Sequence, residues 1–356
     1  MQHFYGAGVY GGTLTNCILS GNQAAGEIYS GYVVGGGAFN ATLYNCTLTG
    51  NSALAGGGGA ANCTLYNCML AGNSVPGTVP NSGDGGSGGG ALDCTLTNNS
   101  AHGAFHGFGG GAAGGTLNNC TLSGNSADIG GGAAGGALNN CIVYFNIAPQ
   151  GANYGYSSTI NHSCTTPLPT NGVGNITEAP LFVDPAGGNL RLQSNSPCIN
   201  AGRNALAPAG PDLDGNPRIA GGTVDIGAYE FQSPTSIIPY VWLQQYNLPT
   251  DGSADFTDPD GDGLNNWQEW ICGTDPTNAL SALRLLAPVS GGTNVIVIWQ
   301  SVAGVSYFLE RAVNLAASPT FTPVATGIPG QTGTTTYTDT NAIGAGPWFY
   351  RVGVSP

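Results

Sequence analysis

The chain contains no lysine, and from Met1 to Leu190 it contains no arginine either. Its basic side chains are six arginines, at 191, 203, 218, 284, 311 and 351. They face 19 acidic residues, for a formal net charge of −13. That balance excludes nucleic acid as a partner, because phosphate binding needs clustered cations. It excludes an anionic membrane surface for the same reason. Long apolar runs are missing too: none approaches the roughly 18 residues that span a bilayer. Only 7% of the 356 residues are charged, while 61 are glycine. Such a composition can mark disorder. Here 41% of residues are hydrophobic and they recur periodically, which predicts an ordered repeat instead.

The repeat is centred on cysteine. Cys17, Cys46, Cys68, Cys94, Cys120, Cys141 and Cys164 follow one another at intervals of 21 to 29 residues. The phrase around them is a glycine run with alanine, then T-L-x-N-C-T-L, then G-N-S-A, as in "GTLNNCTLSGNSA" (115–127). A period of this length predicts a solenoid. A leucine-rich repeat would need more leucine and a glycine-poor back. Short alternating Thr, Leu, Cys, Ile and Val segments suit strands, and Gly and Asn suit turns with positive φ. The pattern therefore predicts a parallel β-helix. Leu117 and Cys120 differ by three, so both point inward only if a turn falls at Asn118–Asn119. The Asn before each Cys is expected to stack in a side-chain ladder, with the cysteines as small buried hydrophobes. A disulfide between Cys164 and Cys198 is the alternative. The coil at 88–101 is short, and the insert at 75–87 is expected to form a compensating surface loop. The seven N-x-S/T sequons, as at Asn45, Asn62 and Asn119, read as by-products of the repeat.

These phrases resemble the right-handed parallel β-helix proteins of the pectin-lyase-like superfamily, in particular exported bacterial surface proteins. The segments "GNITEAPLFVDPAGGNLRLQSNSPCINAG" (174–202) and "DLDGNPRIAGGTVDIGAYE" (212–230) are similar to the closing segment of the choice-of-anchor Q family. The resemblance implies an extracellular or cell-surface location and leaves polysaccharide lyase or hydrolase activity as a rival. Those activities need a base or closely paired carboxylates. The acids of residues 1–190 are scattered, at Glu27, Asp84, Asp93, Asp128, Glu178 and Asp184. His102 and His106, four apart in a glycine-rich stretch, read as part of a solvated loop, with a metal pair as the alternative. Asp214 and Asp225 with Arg218 read as a turn and a cap-fixing ion pair. The expectation is a non-catalytic protein. Tyr44 and Tyr66 are the aromatic candidates for a polysaccharide surface.

Beyond residue 232 the character changes. Asp258, Asp260, Asp262, Gly263 and Glu269 occupy positions 1, 3, 5, 6 and 12 of the EF-hand pattern D-x-D-x-D-G-x₅-E. Alternate acids surround one centre, the glycine permits the sharp turn, and the glutamate closes the shell with both oxygens. Leu264 would offer its carbonyl, and Asn266 sits at position 9. This predicts a structural Ca²⁺ site, without the apolar position 8 of a paired EF-hand, where Asn265 stands. It is similar to the isolated calcium loops of dockerin-like and thrombospondin type 3-like repeats. Helices are expected near 240–246 and 265–271. The alternating segments 294–300, 306–312, 334–340 and 348–354 resemble a small fibronectin type III-like sandwich with Trp299 in its core.

The sequence thus reads as mainly β. A right-handed parallel β-helix with its closing cap (1–232) precedes a short helical calcium-binding linker (233–282) and a small β-sandwich (283–356). The expected role is an extracellular structural or adhesive one, with no membrane span. The chain opens inside a repeat, "MQHFYGAGVYGGTLTNC", which predicts either further coils upstream or head-to-tail self-association. Its expected partners are another copy, a neighbouring surface protein, or a polysaccharide.

Overall fold

The structure, a computed structural model, describes residues 4–25, 33–76, 87–102, 107–155, 157–290, 294–317, 320–342 and 346–354. The insert at 77–86 and His106 lie outside the described residues. The chain forms two compact units, 1–245 and 246–356. The first is a parallel β-solenoid. Seven strands, Ile18–Ser20, Thr47–Thr49, Met69–Ala71, Thr95–Thr97, Thr121–Ser123, Ile142–Tyr144 and Cys164–Thr165, make one parallel sheet in chain order. An 11-stranded sheet carries the T-L-x strands that precede them. A 5-stranded sheet carries the S-A pairs that follow.

Side chains alternate along a strand, so the central Leu of each triplet points inward. Leu48, Leu70, Leu96 and Leu122 stack in register and are fully buried. Between triplets the backbone turns at Asn16, Asn45, Asn67, Asp93, Asn119 and Asn140, each with φ between 48° and 55°. Asn and Asp tolerate this left-handed region through short-range hydrogen bonding. The turn brings Cys back to the inward side, as the three-residue offset from Leu requires. The thiols of Cys46, Cys68, Cys94, Cys120 and Cys141 are buried and free and donate to the carbonyl two residues back, as Cys68 does to Tyr66 at 3.2 Å. Cys17 is half-buried, and Cys164 sits one position further on, in register with Ile142, and donates to Glu178 O. Cys164 and Cys198 are free as well. Burial pushes the Cys63 and Cys120 thiols up, which keeps them protonated.

The continuous asparagine ladder is not the one expected from the Asn-Cys pairs. It is built from the G-N-S asparagines: Asn22, Asn51, Asn73, Asn99, Asn125, Asn146 and Asn153. Asn99 shows the unit. Its Nδ2 donates to Asn125 Oδ1 at 3.0 Å and to Leu70 O at 3.0 Å. Its own Oδ1 accepts both the N–H and the Nδ2 of Asn73. Every rung therefore satisfies backbone groups that the corner leaves unpaired. The Asn-Cys asparagines turn outward. Asn140 donates to Asn119 at 3.1 Å, but Asn119 and Asn140 also reach the carbonyls of Asp225 and Arg203. The glycine runs pass the G-N-S corner closely. A Cβ on Gly110 would stand 2.3 Å from Ser126 O, and one on Gly131 would stand 2.4 Å from Ile147 O.

The closing segment lies along the flank of the solenoid, over the outward face of the seven-stranded sheet. Ile142 and Cys164 pack there with Phe182, Leu190, Ile199, Ile226, Tyr229 and Tyr240 in a second core. The outward positions of that sheet record its extent. Ile18 and Met69 are 77% and 46% exposed, whereas Thr121 and Ile142 are 0% and 1% exposed. Ala228 N donates to Thr121 Oγ1 at 3.0 Å, and Gly227 N donates to Asn140 O at 2.8 Å. Arg218 anchors this contact. It donates to Asp93 at 2.9 Å and to Glu230 at 3.0 Å, all three side chains being buried. Asp93 is the one acid in the Asn-Cys column of the repeat. The expected partners of Arg218 are corrected accordingly. Asp214 pairs with Arg191, its Oδ2 accepting from Nε at 2.6 Å, because both sit on the exposed rim. Asp225 is buried and accepts from the N–H groups of Asn200 and Phe231. The six-residue helix α1, Tyr240–Gln245, ends the unit.

The second unit contains helix α2, Asn266–Cys272, and two three-stranded antiparallel sheets. One sheet joins Val289–Ser290, Val295–Ser301 and Gly333–Asp339, and the other joins Thr322–Pro329, Ser306–Ala312 and Phe349–Val354. The sequence pattern does not signal the strand at 322–329, because "TPVATGIP" lacks clean alternation and carries two prolines. Residues of both sheets share one core around Trp299, which is fully buried and meets Tyr307 edge-on at 5.9 Å.

Two outcomes follow for the first unit. Asn99→Ala would strip two donors of Asn73 of their acceptor and two acceptors of their donor, costing about 2–4 kcal/mol in denaturant unfolding. Asn139→Ala in the part-buried outer column costs less than about 1 kcal/mol by the same measurement. Burial pushes Asp93 up to about 7, outweighing the pull of Arg218, and it raises Asp225 and Glu230 as well. The folded state therefore holds protons that the unfolded chain has released. Stability contributed by these groups falls as pH rises from about 4 through 7. Thermal unfolding of the first unit should show a lower midpoint at pH 8 than at pH 5. Asp93→Asn, which keeps an oxygen for Arg218, should flatten that slope.

Candidate metal centre

The acidic loop is shaped by its own carboxylates before any ligand is considered. Asp258 Oδ1 accepts the Gly261 N–H at 2.8 Å, and its Oδ2 accepts the Gly263 N–H at 3.0 Å. Asp260 Oδ1 accepts from Asp262 N at 3.2 Å, and Asp262 Oδ1 accepts from Leu264 N at 2.7 Å. Each short acid thus folds the next two residues around itself, which is why alternate spacing suits a tight loop. Gly263 has φ of 97°, a conformation that disfavours any side chain. The result brings one oxygen from each of Asp258, Asp260 and Asp262 within 4.8 Å of the others.

Glu269 stands in the first turn of α2. The helix begins at Asn265, whose side chain accepts from Gln268 N at 2.9 Å while Gln268 Oε1 accepts from Asn265 N at 2.9 Å. This capping box accounts for the polar residue at position 8, since the residue is needed as a helix cap. Glu269 is fully buried. Burial, then the charges of Asp260 and Asp262, push it up to about 7. Asp260 Oδ2, Asp262 Oδ2 and Glu269 Oε2 are buried and have no hydrogen-bond partner. Unpartnered buried carboxylate oxygens are costly unless a proton or a cation completes them.

Asn266 is engaged elsewhere. Its Nδ2 donates to Ala254 O at 2.8 Å and to Thr257 Oγ1 at 3.2 Å, tying the start of α2 to the segment before the loop. Leu264 takes part through its N–H. The donor set that the geometry gathers is Asp258, Asp260 and Asp262; Glu269 lies outside that group, although its Oε2 is also buried and unpartnered. The pattern of acids did not indicate the loop's outer support. Arg284 Nη2 donates to the carbonyl of Asp262 at 3.3 Å and to that of Ala279 at 3.2 Å. Arg284 in turn pairs with the first long strand of the sandwich, its carbonyl accepting from Gln300 N at 2.9 Å. Gly273, the left-handed C-cap of α2, lies against Val302 and Val305. Loop, helix and sheet are therefore continuous in packing.

The remaining sequence candidates are dispersed. Tyr44 and Tyr66 stack face to face, with centroids 4.6 Å apart and planes 8° apart. Beside that corner, a groove of about 390 Å³ is lined by Asn45, Thr47, Asn67 and Met69 on one side and by Pro211–Gly215 on the other. His102 sits at the G-N-S corner beside Ser126 and Asp128. Among the described residues, no second group of three or more acids, histidines or cysteines converges as Asp258, Asp260 and Asp262 do. No known family model matches the chain, and comparison with curated proteins finds no match.

Proposed function

We propose that this chain is an extracellular structural or adhesive protein, a β-solenoid scaffold followed by a sandwich unit that Ca²⁺ rigidifies. The observation that carries this reading is the set of three buried, unpartnered carboxylate oxygens on Asp260, Asp262 and Glu269. With Asp258 they offer an all-oxygen, strongly anionic shell, which suits a hard divalent cation. Because the loop packs on the sandwich through Arg284 and Gly273, an ion bound there would stiffen the unit rather than switch it. Right-handed winding, the pectin-lyase-like and choice-of-anchor Q resemblance, and the fibronectin type III-like strand order belong to the same proposal. Self-association is part of it. Val9, Leu14 and Cys17 in the first described coil are only half-buried, where Leu43, Leu65 and Cys68 are fully buried. A further coil, whether upstream in the chain or from another copy, would cover them.

A polysaccharide-binding role is the second reading. The stacked pair Tyr44–Tyr66 and the neighbouring groove favour it, since paired rings offer an apolar face to a sugar.

The calcium reading is tested on the full chain after chelator treatment. At 10 mM Ca²⁺ the unfolding transition of the second unit should gain about 1.5–3 kcal/mol, for a dissociation constant on the order of 0.1–1 mM. Glu269→Gln should lose most of that gain while leaving the first unit's transition in place. A scan that is unchanged by Ca²⁺, with no heat of binding in calorimetry, would refute the calcium site.

A further inference from the structure

The solenoid stacks like on like, and departures from that rule have a reason elsewhere in the fold. Asp93 replaces an asparagine where Arg218 lands. A second departure occurs at the G-N-S-A corner. Ser52, Ser74, Ser100 and Ser126 are successive register partners. Two residues further along each coil stand Leu54, Pro76, His102 and Asp128. Adjacent coils thus set a histidine against an aspartate, with a serine beside them, in a stretch where ionisable side chains are scarce.

His102 Nδ1 lies 3.1 Å from Asp128 Oδ1, and His102 Nε2 lies 3.3 Å from Ser126 Oγ. An ionised carboxylate only accepts. Nδ1 therefore carries the proton and donates to Asp128, which leaves the Nε2 lone pair to accept the Ser126 hydroxyl. The second oxygen of Asp128 accepts the Gly107 N–H at 2.7 Å, which fixes the carboxylate. The His102 side chain is 53% exposed and Ser126 is half-buried, so the pair lies at the surface of the corner.

We propose that Ser126, His102 and Asp128 are a nucleophile, a general base and a positioning residue that cleave small, unhindered carboxylic esters. Ser126 Oγ attacks the ester carbonyl as its proton passes to His102 Nε2. The alcohol departs with that proton, leaving an acyl-serine. Water then attacks the acyl group, giving its proton to His102, and the acid leaves as Ser126 regains its hydrogen. Asp128 holds the productive tautomer and stabilises the transient imidazolium. The open setting suits small acyl groups. The absence of any Lys or Arg from residues 1–190 disfavours anionic substrates, so neutral esters fit best. This site is independent of the calcium loop.

The test uses the full chain, a fluorophosphonate probe and p-nitrophenyl acetate. The probe should label Ser126, identified by peptide mapping. Labelling and ester hydrolysis should fall at least about 10-fold in Ser126→Ala and in His102→Gln, as loss of a nucleophile or base predicts. Ser74→Ala, at the same corner two coils earlier, should keep wild-type rates. Asp128→Asn should lower kcat while leaving KM unchanged, which a purely structural aspartate would not do. Thermal unfolding verifies that each variant is folded. A folded wild-type chain that takes up no probe would overturn the assignment. So would labelling that persists in both Ser126→Ala and His102→Gln.

Discussion

Each coil of the solenoid leaves backbone donors and acceptors that only its neighbours can satisfy, and the asparagine column at the G-N-S corner is where that requirement is strictest. At this corner the chain turns inside the coil, out of reach of water. A side chain with both a donor and an acceptor must supply the missing bonds. Asn does so with the shortest possible stem. Asn73, Asn99 and Asn125 each serve four groups through their side chains and are fully buried. The rest follows from keeping that column straight. Leucines must stack inside, glycines must pass the corner without a Cβ, and Asn must adopt positive φ before Cys.

A scaffold of this kind has little use for charge, which would be buried or would break the like-on-like stacking. The charges that remain are informative for that reason. Asp93 exists to receive Arg218 from the closing segment, and the buried cluster with Glu230 fixes that segment to the flank. Breaking one partner of such a cluster is far costlier than the cluster is stabilising, so its value lies in specifying where the segment docks. Asp128 has no arginine to meet; it meets His102 and Gly107. In the second unit, charge is concentrated instead. Three aspartates fold one loop and bring one oxygen each within 4.8 Å of the others, and a buried, unpartnered oxygen is left on Glu269 as well.

Much of this was legible in the sequence. The cysteine period, the inward Leu and Cys, the turn at Asn119, the helix at Asn266–Cys272 and the core position of Trp299 all follow from local pattern, because solenoid coils and short strands are dictated by neighbours in sequence. The acids at 258, 260, 262 and 269 were legible for the same reason, since they fall within one loop and one helix turn. The Asn-Cys pairs point to the wrong asparagine for the ladder. Both columns recur along the solenoid, with Asp93 the one acid in the Asn-Cys column, and only the direction of the side chain after the turn separates them. Asn266 was assigned by position in a motif, and its buried amide was claimed by Ala254 and Thr257.

By itself the sequence determined the coil: its length, its inward and outward faces, its turns, and the lack of any apolar run long enough for a membrane-spanning helix. Only the tertiary structure decided what crosses between coils and what lies on them. The closing segment reads as a terminal cap, yet it covers the flank, because Thr121 and Ile142 there present the apolar and hydroxyl surface that Ala228 and Ile226 require. Arg218 finds Asp93 across 125 residues. His102, Ser126 and Asp128 come together only because parallel stacking superimposes positions 26 residues apart. Sequence periodicity fixes which residues share a column, while the pairing of unlike residues in neighbouring columns is set by register and packing, which no single coil contains.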